Sequence, residues 1–506
     1  MTTPEQVFDV VVVGSGGGAL TAAHLAQRRG LRTVVVEKTD RLGGTSAYSG
    51  GACWLPGSAV QQRAGIADST ESARTYLGAL LTEPDVAKVE AFLAEAPRLV
   101  DELERDELLD FEWLPFPEYY DAPGRVSWGR SIQPTSVRRD ELPPVVADLV
   151  RPPVELDRLG LPGRKTLTGG QALIARLACA FTRDGGAVLT GHTVDRLLTE
   201  DGRVVGVEAE TGSGRVALGA TRGVVVASGG FEHNAEWRAA HGVPGDAAWS
   251  MAPAGTNTGE PIAAAREIGA ATDLLDQGWF CPGLEHPDGL GSFTLGFRSG
   301  VIVDAHGRRY ANESLPYDRF GREMAKSPDR IPSWFVFDSR EGGRLPAIAM
   351  PEGDPAEHLA AGTWVQAETL EQLAATLGTA ELPATVERFN GYCESGVDEE
   401  FGRGEDEYDT FFTGGEGPNK ALVPVDRPPY FAARFVLSDL GTKGGIVTDT
   451  AGRALREDGS VIAGLYATSN SAANAFGAFY PGPGAPLGTA MVFASLAVQD
   501  LAGDPD

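Results

Sequence analysis

Cysteine is scarce in this sequence, with four in 506 residues. Cys53, Cys179, Cys281 and Cys393 lie far apart, with no C-x-x-C pair and no histidine at ligand spacing, which argues against a disulfide framework and a zinc site. A reducing setting and no metal are expected. Positive charge is also short: 43 Lys and Arg stand against 70 Asp and Glu, a net charge of −27. Such a field repels phosphate backbones and anionic headgroups, so nucleic-acid binding through a basic patch is disfavoured. No run of about 18 apolar residues, the length of a membrane-crossing helix, stands out. Met1–Glu5 lacks the basic and apolar regions of an export signal. The expectation is a cytoplasmic protein with no integral membrane segment and at most loose peripheral contact.

What the chain has in quantity is glycine, 65 residues, placed at strand ends. Residues 8–13 form a nearly all-apolar strand that runs into Gly14-Ser15-Gly16-Gly17-Gly18-Ala19. A helical pattern follows to about Gly30, then Thr33-Val34-Val35-Val36 ending at Glu37. This is a βαβ unit with G-x-G-x-x-A at its turn and an acid 23 residues after Gly14. Gly14 permits the tight turn, and Gly16 and Gly17 let backbone N–H groups approach a pyrophosphate. The small Ala19 allows close helix–strand packing, and Glu37 can accept from a ribose diol.

After Glu37 and Lys38 comes a second small-residue loop, Gly43-Gly44-Thr45-Ser46-Ala47, then Ser49-Gly50-Gly51. Its N–H groups and the Thr45 and Ser46 hydroxyls suit a pyrophosphate and a flavin edge, which favours FAD over NAD. A buried strand closes on Ala227-Ser228-Gly229, after a hairpin-like stretch turning at Asp201-Gly202. Near the C-terminus, Gly488-Thr489 is read as opening a last apolar helix whose positive end faces the flavin. The fold class expected is α/β: a discontinuous Rossmann-like FAD-binding domain, residues 1–276 and 442–506, with an inserted α+β catalytic or cap domain, residues 277–441. Within the insert, a helical stretch is expected from Thr369 to Tyr392, and the acidic run Asp398 to Glu407 reads as a solvated face.

The motifs Val13–Leu20, Glu37–Asp40 and Gly43–Gly50 resemble the fumarate-reductase-like flavoproteins. Phe116-Pro117-Glu118-Tyr119-Tyr120, Asn312-Glu313-Ser314-Leu315-Pro316-Tyr317-Asp318 and Phe479-Tyr480-Pro481-Gly482-Pro483-Gly484 make the chain similar, end to end, to the 3-ketosteroid Δ1-dehydrogenases. Where the reductases carry a proton-delivering arginine, this chain has Tyr317. Where they hold a dicarboxylate with arginine and histidine, residues 474–481 contain no cation, which suits a neutral ketone.

The resemblance implies non-covalent FAD, a 3-ketosteroid substrate and an electron acceptor other than NAD, quinone- or dye-like. It also implies site roles. Tyr317 takes the C2 proton, with Tyr119 or its neighbour Tyr120 in support, and Arg319 and Arg322 are the nearest sources of positive potential. Tyr480 and the Gly484 N–H polarise the 3-keto oxygen, and Phe116 and Phe293 wall an apolar slot. Alternative readings are a related flavoprotein acting on the 4,5 bond or reducing another enone, and a non-catalytic flavin-bearing ligand-binding protein.

Overall fold

A computed structural model of the chain describes residues 4–82, 84–413 and 415–503. Met1–Thr3, where the export reading began, lie outside the described residues. The chain divides into two compact units: Met1–Trp237, Ala252–Gly278 and Gly441–Asp506 form the first, and Arg238–Met251 with Trp279–Leu440 the second. The expected boundary near residue 276 left Arg238–Met251 in the first unit. That segment belongs to the second because Asp439 holds it: Arg238 Nη1 and Ser250 Oγ donate to the Asp439 carboxylate at 2.6 and 2.7 Å.

The largest sheet of the first unit has eight strands. Strand β1 (Gln6–Val13) pairs in parallel with β2 (Thr33–Val36) on one side and with Gly214–Val226 on the other. Parallel strands Ala187–Leu189 and Val461–Ala467 extend the sheet outward. Valines at 10–13, 34–36 and 224–226 are all buried, as a sheet covered on both faces requires. Helix α1 (Gly17–Arg28) crosses from β1 to β2. The hairpin strands Thr193–Glu200 and Arg203–Thr211 turn at Asp201 (φ 50°) and Gly202 (φ 78°), both left-handed as a two-residue hairpin favours.

The C-terminal helix spans Ala485–Ala502, so it begins earlier than the expected Gly488. Gly484, left-handed at φ 83°, is its cap, and Pro486 sits in its first turn, where a missing N–H costs nothing. By length and composition this helix could cross a membrane, yet Thr489, Ser495, Gln499 and Asp500 interrupt its apolar run. Most of it is buried inside the first unit, and the alanines and glycine among its residues let neighbours approach closely.

The second unit carries a five-stranded sheet in which Tyr430–Thr442 pairs antiparallel with Ser333–Asp338 and Trp364–Ala367. The expected helix from Thr369 to Tyr392 is two, Leu370–Leu377 and Leu382–Ser395. Gly378, left-handed at φ 74°, ends the first. Leu373, Leu382, Val386 and Phe389 close on Val301, Val303 and Val336 to form the core.

Candidate active site

The glycine turn after β1 is shaped by contact. Gly14 takes φ 105°, and a Cβ there would stand 2.4 Å from the Ala227 carbonyl oxygen. Ser15 Oγ donates to Glu37 Oε2 at 2.5 Å and accepts from the Gly43 N–H at 3.0 Å, tying the turn to both later segments. Thr39 N–H and Oγ1 donate to Glu37 Oε1 at 2.8 and 2.9 Å. The acid is thereby fixed, with lone-pair capacity on Oε2 left for a ribose hydroxyl. The Gly17 N–H donates to Ser46 Oγ at 3.2 Å. Lys38 Nζ donates to Thr258 Oγ1 and Glu260 Oε1, both at 2.7 Å, so its ammonium is a structural tie.

Two observations test the fit of a dinucleotide. Thr45 Oγ1 is buried and has no hydrogen-bond partner among the described residues. Gly44 and Gly50 face open space, where an added Cβ would meet nothing within 4 Å. A buried unmatched hydroxyl beside open backbone is what a phosphate group would complete. Gly51 (φ 74°) backs onto Gly169, and Gly229 takes φ 83°. Gly488 and Thr489 differ from expectation. The Gly488 N–H donates to Gly484 O at 2.8 Å and Thr489 Oγ1 to Ala485 O at 2.9 Å, because both lie inside the helix rather than at its start.

The Tyr480–Gly484 loop lies in the same unit. The Tyr480 ring meets the fully buried Tyr119 edge-on, centroids 5.0 Å apart, whereas Tyr120 faces Phe479 at 6.2 Å. A Cβ on Gly484 would stand 2.2 Å from Ala52 O. Pro481 and Pro483 have no N–H, and the Gly484 N–H donates to no acceptor among the described residues. Phe116, half-buried, donates its N–H to Trp128 O at 2.8 Å.

Behind Tyr119 lies a buried charge network that sequence reasoning missed. Arg130 Nε and Nη2 grip Glu118 at 2.6 and 3.1 Å, and Arg130 Nη1 reaches Asp68 at 2.9 Å. Trp54 Nε1 donates to Glu118 at 3.1 Å. Burial pushes the Glu118 carboxyl up, and Arg130 opposes that shift. A second omission is Lys443. This fully buried lysine donates Nζ to Phe479 O at 2.9 Å, so a cation does reach the segment expected to have none. The signal was a lone lysine between Gly441-Thr442 and Gly444-Gly445.

In the second unit, Tyr317 is buried at the first position of the helix Tyr317–Ala325 and meets Phe293 edge-on at 4.8 Å. Its motif is held from below. Arg309 clasps Glu313 through two 2.8 Å bonds and Asp398 through bonds of 3.1 and 2.8 Å, and Arg403 donates to Ser314 Oγ at 3.1 Å. Asp398, 3% exposed, is thus a buried counterion and not part of a solvated face. Arg322 is ion-paired with Asp318 at 2.8 Å.

Among the described residues, His24, Asp106 and Asp184 bring ligand-type atoms within 4.8 Å of one another. Asp106 already binds Arg28 and Arg183, at 3.3 and 2.5 Å, whose charges oppose a metal ion. The cysteines are free.

A parallel sheet whose first glycine turn is tied to a buried acid and a phosphate-ready loop defines a dinucleotide-binding flavoprotein. A family model described as FAD binding domain matches residues 9–487. The chain is 41% identical to a 3-oxosteroid 1-dehydrogenase of Rhodococcus opacus over 98% of both sequences. It is 34% identical to a 4-oxocyclohexanecarboxylate 2-dehydrogenase of Sinomonas cyclohexanicum, covering 99% of this chain and 94% of that one. The crystal structure of 3-ketosteroid Δ1-dehydrogenase from Sterolibacterium denitrificans, in complex with 1,4-androstadiene-3,17-dione, superposes with a TM-score of 0.88 at 30% identity. That match covers 99% of this chain and 100% of that one. The chain belongs to the 3-oxosteroid 1-dehydrogenase family of FAD-binding flavoproteins, and FAD is its cofactor.

Proposed function

We propose that the chain introduces the 1,2 double bond into 3-ketosteroids. The carrying observation is the Tyr480–Gly484 loop, which pairs a phenol with an uncommitted N–H on a fixed backbone. Removing a proton from C2 sends negative charge to the C3 oxygen, and two donors aimed at that oxygen stabilise the enolate. Tyr480 and Gly484 take this role. Tyr317 takes the C2 proton. A phenol, with an ordinary pKa of about 10, needs help to act as a base near neutral pH. Its place in the first turn of a nine-residue helix supplies some, because the helix dipole stabilises negative charge there. Tyr119 supports the proton transfer, and Phe116 and Phe293 offer apolar walls. FAD, when bound, supplies the acceptor for the C1 hydride. Electrons then leave to a quinone- or dye-like acceptor rather than NAD.

Anaerobic addition of androst-4-ene-3,17-dione should bleach the yellow holoenzyme. Tyr317→Phe should lose at least about 10²-fold in turnover with FAD retained, the usual worth of a positioned base. Near-normal turnover would remove Tyr317 from the role. A second reading, the same ring chemistry on 4-oxocyclohexanecarboxylate, is favoured by the Sinomonas relative. Bleaching by that acid and not by steroids would select it.

A further inference from the structure

The carbonyls around the proposed oxyanion contact are tied back one by one. Phe479 O accepts from Lys443 Nζ at 2.9 Å. Pro481 O accepts from the Tyr119 N–H at 3.1 Å and from the Tyr76 hydroxyl at 2.8 Å. Gly482 O accepts from Ala485 N–H at 3.2 Å, Pro483 O from Ser131 Oγ at 2.6 Å, and Gly484 O from Trp54 N–H at 3.1 Å. Tyr76 does double duty, since its oxygen accepts from the Tyr120 N–H at 3.2 Å while its proton goes to Pro481. One phenol therefore joins the Tyr119-Tyr120 backbone to the Tyr480 loop.

Tyr76 and Ser131 are both fully buried, and burial pushes the Tyr76 phenol up, which keeps it a donor. Ser131 follows Arg130 directly, and Tyr119 follows Glu118, so the Glu118–Arg130 clasp at 2.6 Å sets the spacing of the Ser131 tie and the Tyr119 N–H tie. Arg130 is also centred 5.5 Å from both the Trp54 and Tyr76 rings, which fixes the residue donating to Gly484 O and the residue donating to Pro481 O.

We infer that Tyr76 and Ser131 are positioning residues for the enolate-stabilising donors. By holding the carbonyls of Pro481 and Pro483, they aim the Gly484 N–H and the Tyr480 hydroxyl. Neither residue touches substrate, and each acts through the loop. The inference rests on the role proposed for Tyr480 and Gly484. An oxyanion contact is sensitive to small displacements, whereas general binding of an apolar ring system is not. Loosening the loop should therefore lower kcat and leave KM nearly unchanged.

The test compares the holoenzyme with Tyr76→Phe, Ser131→Ala and the double variant, using androst-4-ene-3,17-dione and its 2,2-dideuterated form, with flavin content measured throughout. The double variant should lose about 10- to 100-fold in kcat with less than about threefold change in KM, because donors misplaced by a fraction of an ångström stabilise charge poorly. The isotope effect from C2 should rise, since proton removal becomes the slower step. Ser131→Thr, which keeps a hydroxyl, should recover most of the single-variant loss. Where the double variant fails to retain flavin, Tyr76→Phe alone, which removes one atom, carries the same signature at smaller size. An unchanged kcat, or a fall in kcat with an unchanged C2 isotope effect, overturns the inference. Tyr480→Phe, run alongside, separates it from its premise. Full activity in that variant refutes the oxyanion role itself, whereas an impaired Tyr480→Phe beside a normal Tyr76→Phe/Ser131→Ala refutes only the positioning.

Discussion

At the scale of single residues, His24 shows how burial becomes pH dependence. It sits wholly inside α1, neither ring nitrogen is hydrogen-bonded among the described residues, and Asp106 is 3.8 Å away. Burial, opposed by Asp106, pushes it down to about 4; Arg28, Arg183 and Asp184 are the other charges that face it. The unfolded chain, with histidine near 6.5, then binds more protons than the folded chain between about pH 6.5 and 4. Stability therefore falls as pH drops through that window, by about 2 kcal/mol at pH 5 from this residue. Burial, the largest single influence, raises the Asp106 carboxyl, but the hydrogen bonds from Arg183 and the Leu108 N–H together with the Arg183 charge outweigh it and leave it at about 2, so its contribution is lost only at lower pH. In the second unit His358 is also pushed down to about 4 by burial and keeps its share. Urea midpoints at pH 7.5 and 5 should lie closer together in His24→Leu than in the parent. An equal spacing in the two proteins would sink this account.

At the scale of elements, the β1–α1 turn and the Arg130 cluster make opposite demands on side chains. Gly14→Ala adds a Cβ 2.4 Å from Ala227 O at a left-handed φ of 105°, so both strain and overlap oppose it. A loss of at least about 2 kcal/mol and weakened FAD retention are expected, read by thermal unfolding and flavin absorbance. Arg130→Met removes a partner from two fully buried carboxylates, Glu118 and Asp68, and should cost about 3–5 kcal/mol. The exposed Arg308–Glu381 pair is the contrast, and Arg308→Ala should leave the unfolding midpoint where it is. These elements also divide what was legible from what was not. β1, the glycine turn and β2 were readable because their signals are local: valine runs, glycines and an acid in register. The start of the last helix was misplaced because Gly484 and Pro486 read equally well as loop. The Tyr76 and Ser131 ties could not be read at all, since they join residues hundreds of positions apart through backbone carbonyls, which carry no mark in the sequence.

At the scale of the whole molecule, the discontinuous first unit was visible because its strands end in glycine-marked turns at both ends of the chain. Segment 238–251 carries no such mark, and its unit is revealed by long-range bonds to Asp439 from Arg238 and Ser250. Tyr119, Tyr317, Tyr480 and Gly484 came from motif resemblance, and nothing in their spacing would have singled them out. Net charge, by contrast, is legible without any structure and predicts behaviour that no single residue sets. With −27 on the chain, an anionic electron acceptor approaches against the field and a cationic one with it. Salt at 0.5 M shortens the screening length to roughly 4 Å and removes most of that difference. Turnover measured with ferricyanide should therefore rise in kcat/KM for the acceptor between 10 mM and 0.5 M salt, and turnover with phenazine methosulfate should fall, the ratio moving by about tenfold. The steroid is uncharged, so anaerobic flavin reduction by it should stay flat over the same range and serve as the internal reference. Parallel salt responses for the two acceptors would mean that electrons leave through a patch whose local charge departs from that of the whole, and Lys and Arg substitutions near the exit would then be the next place to look.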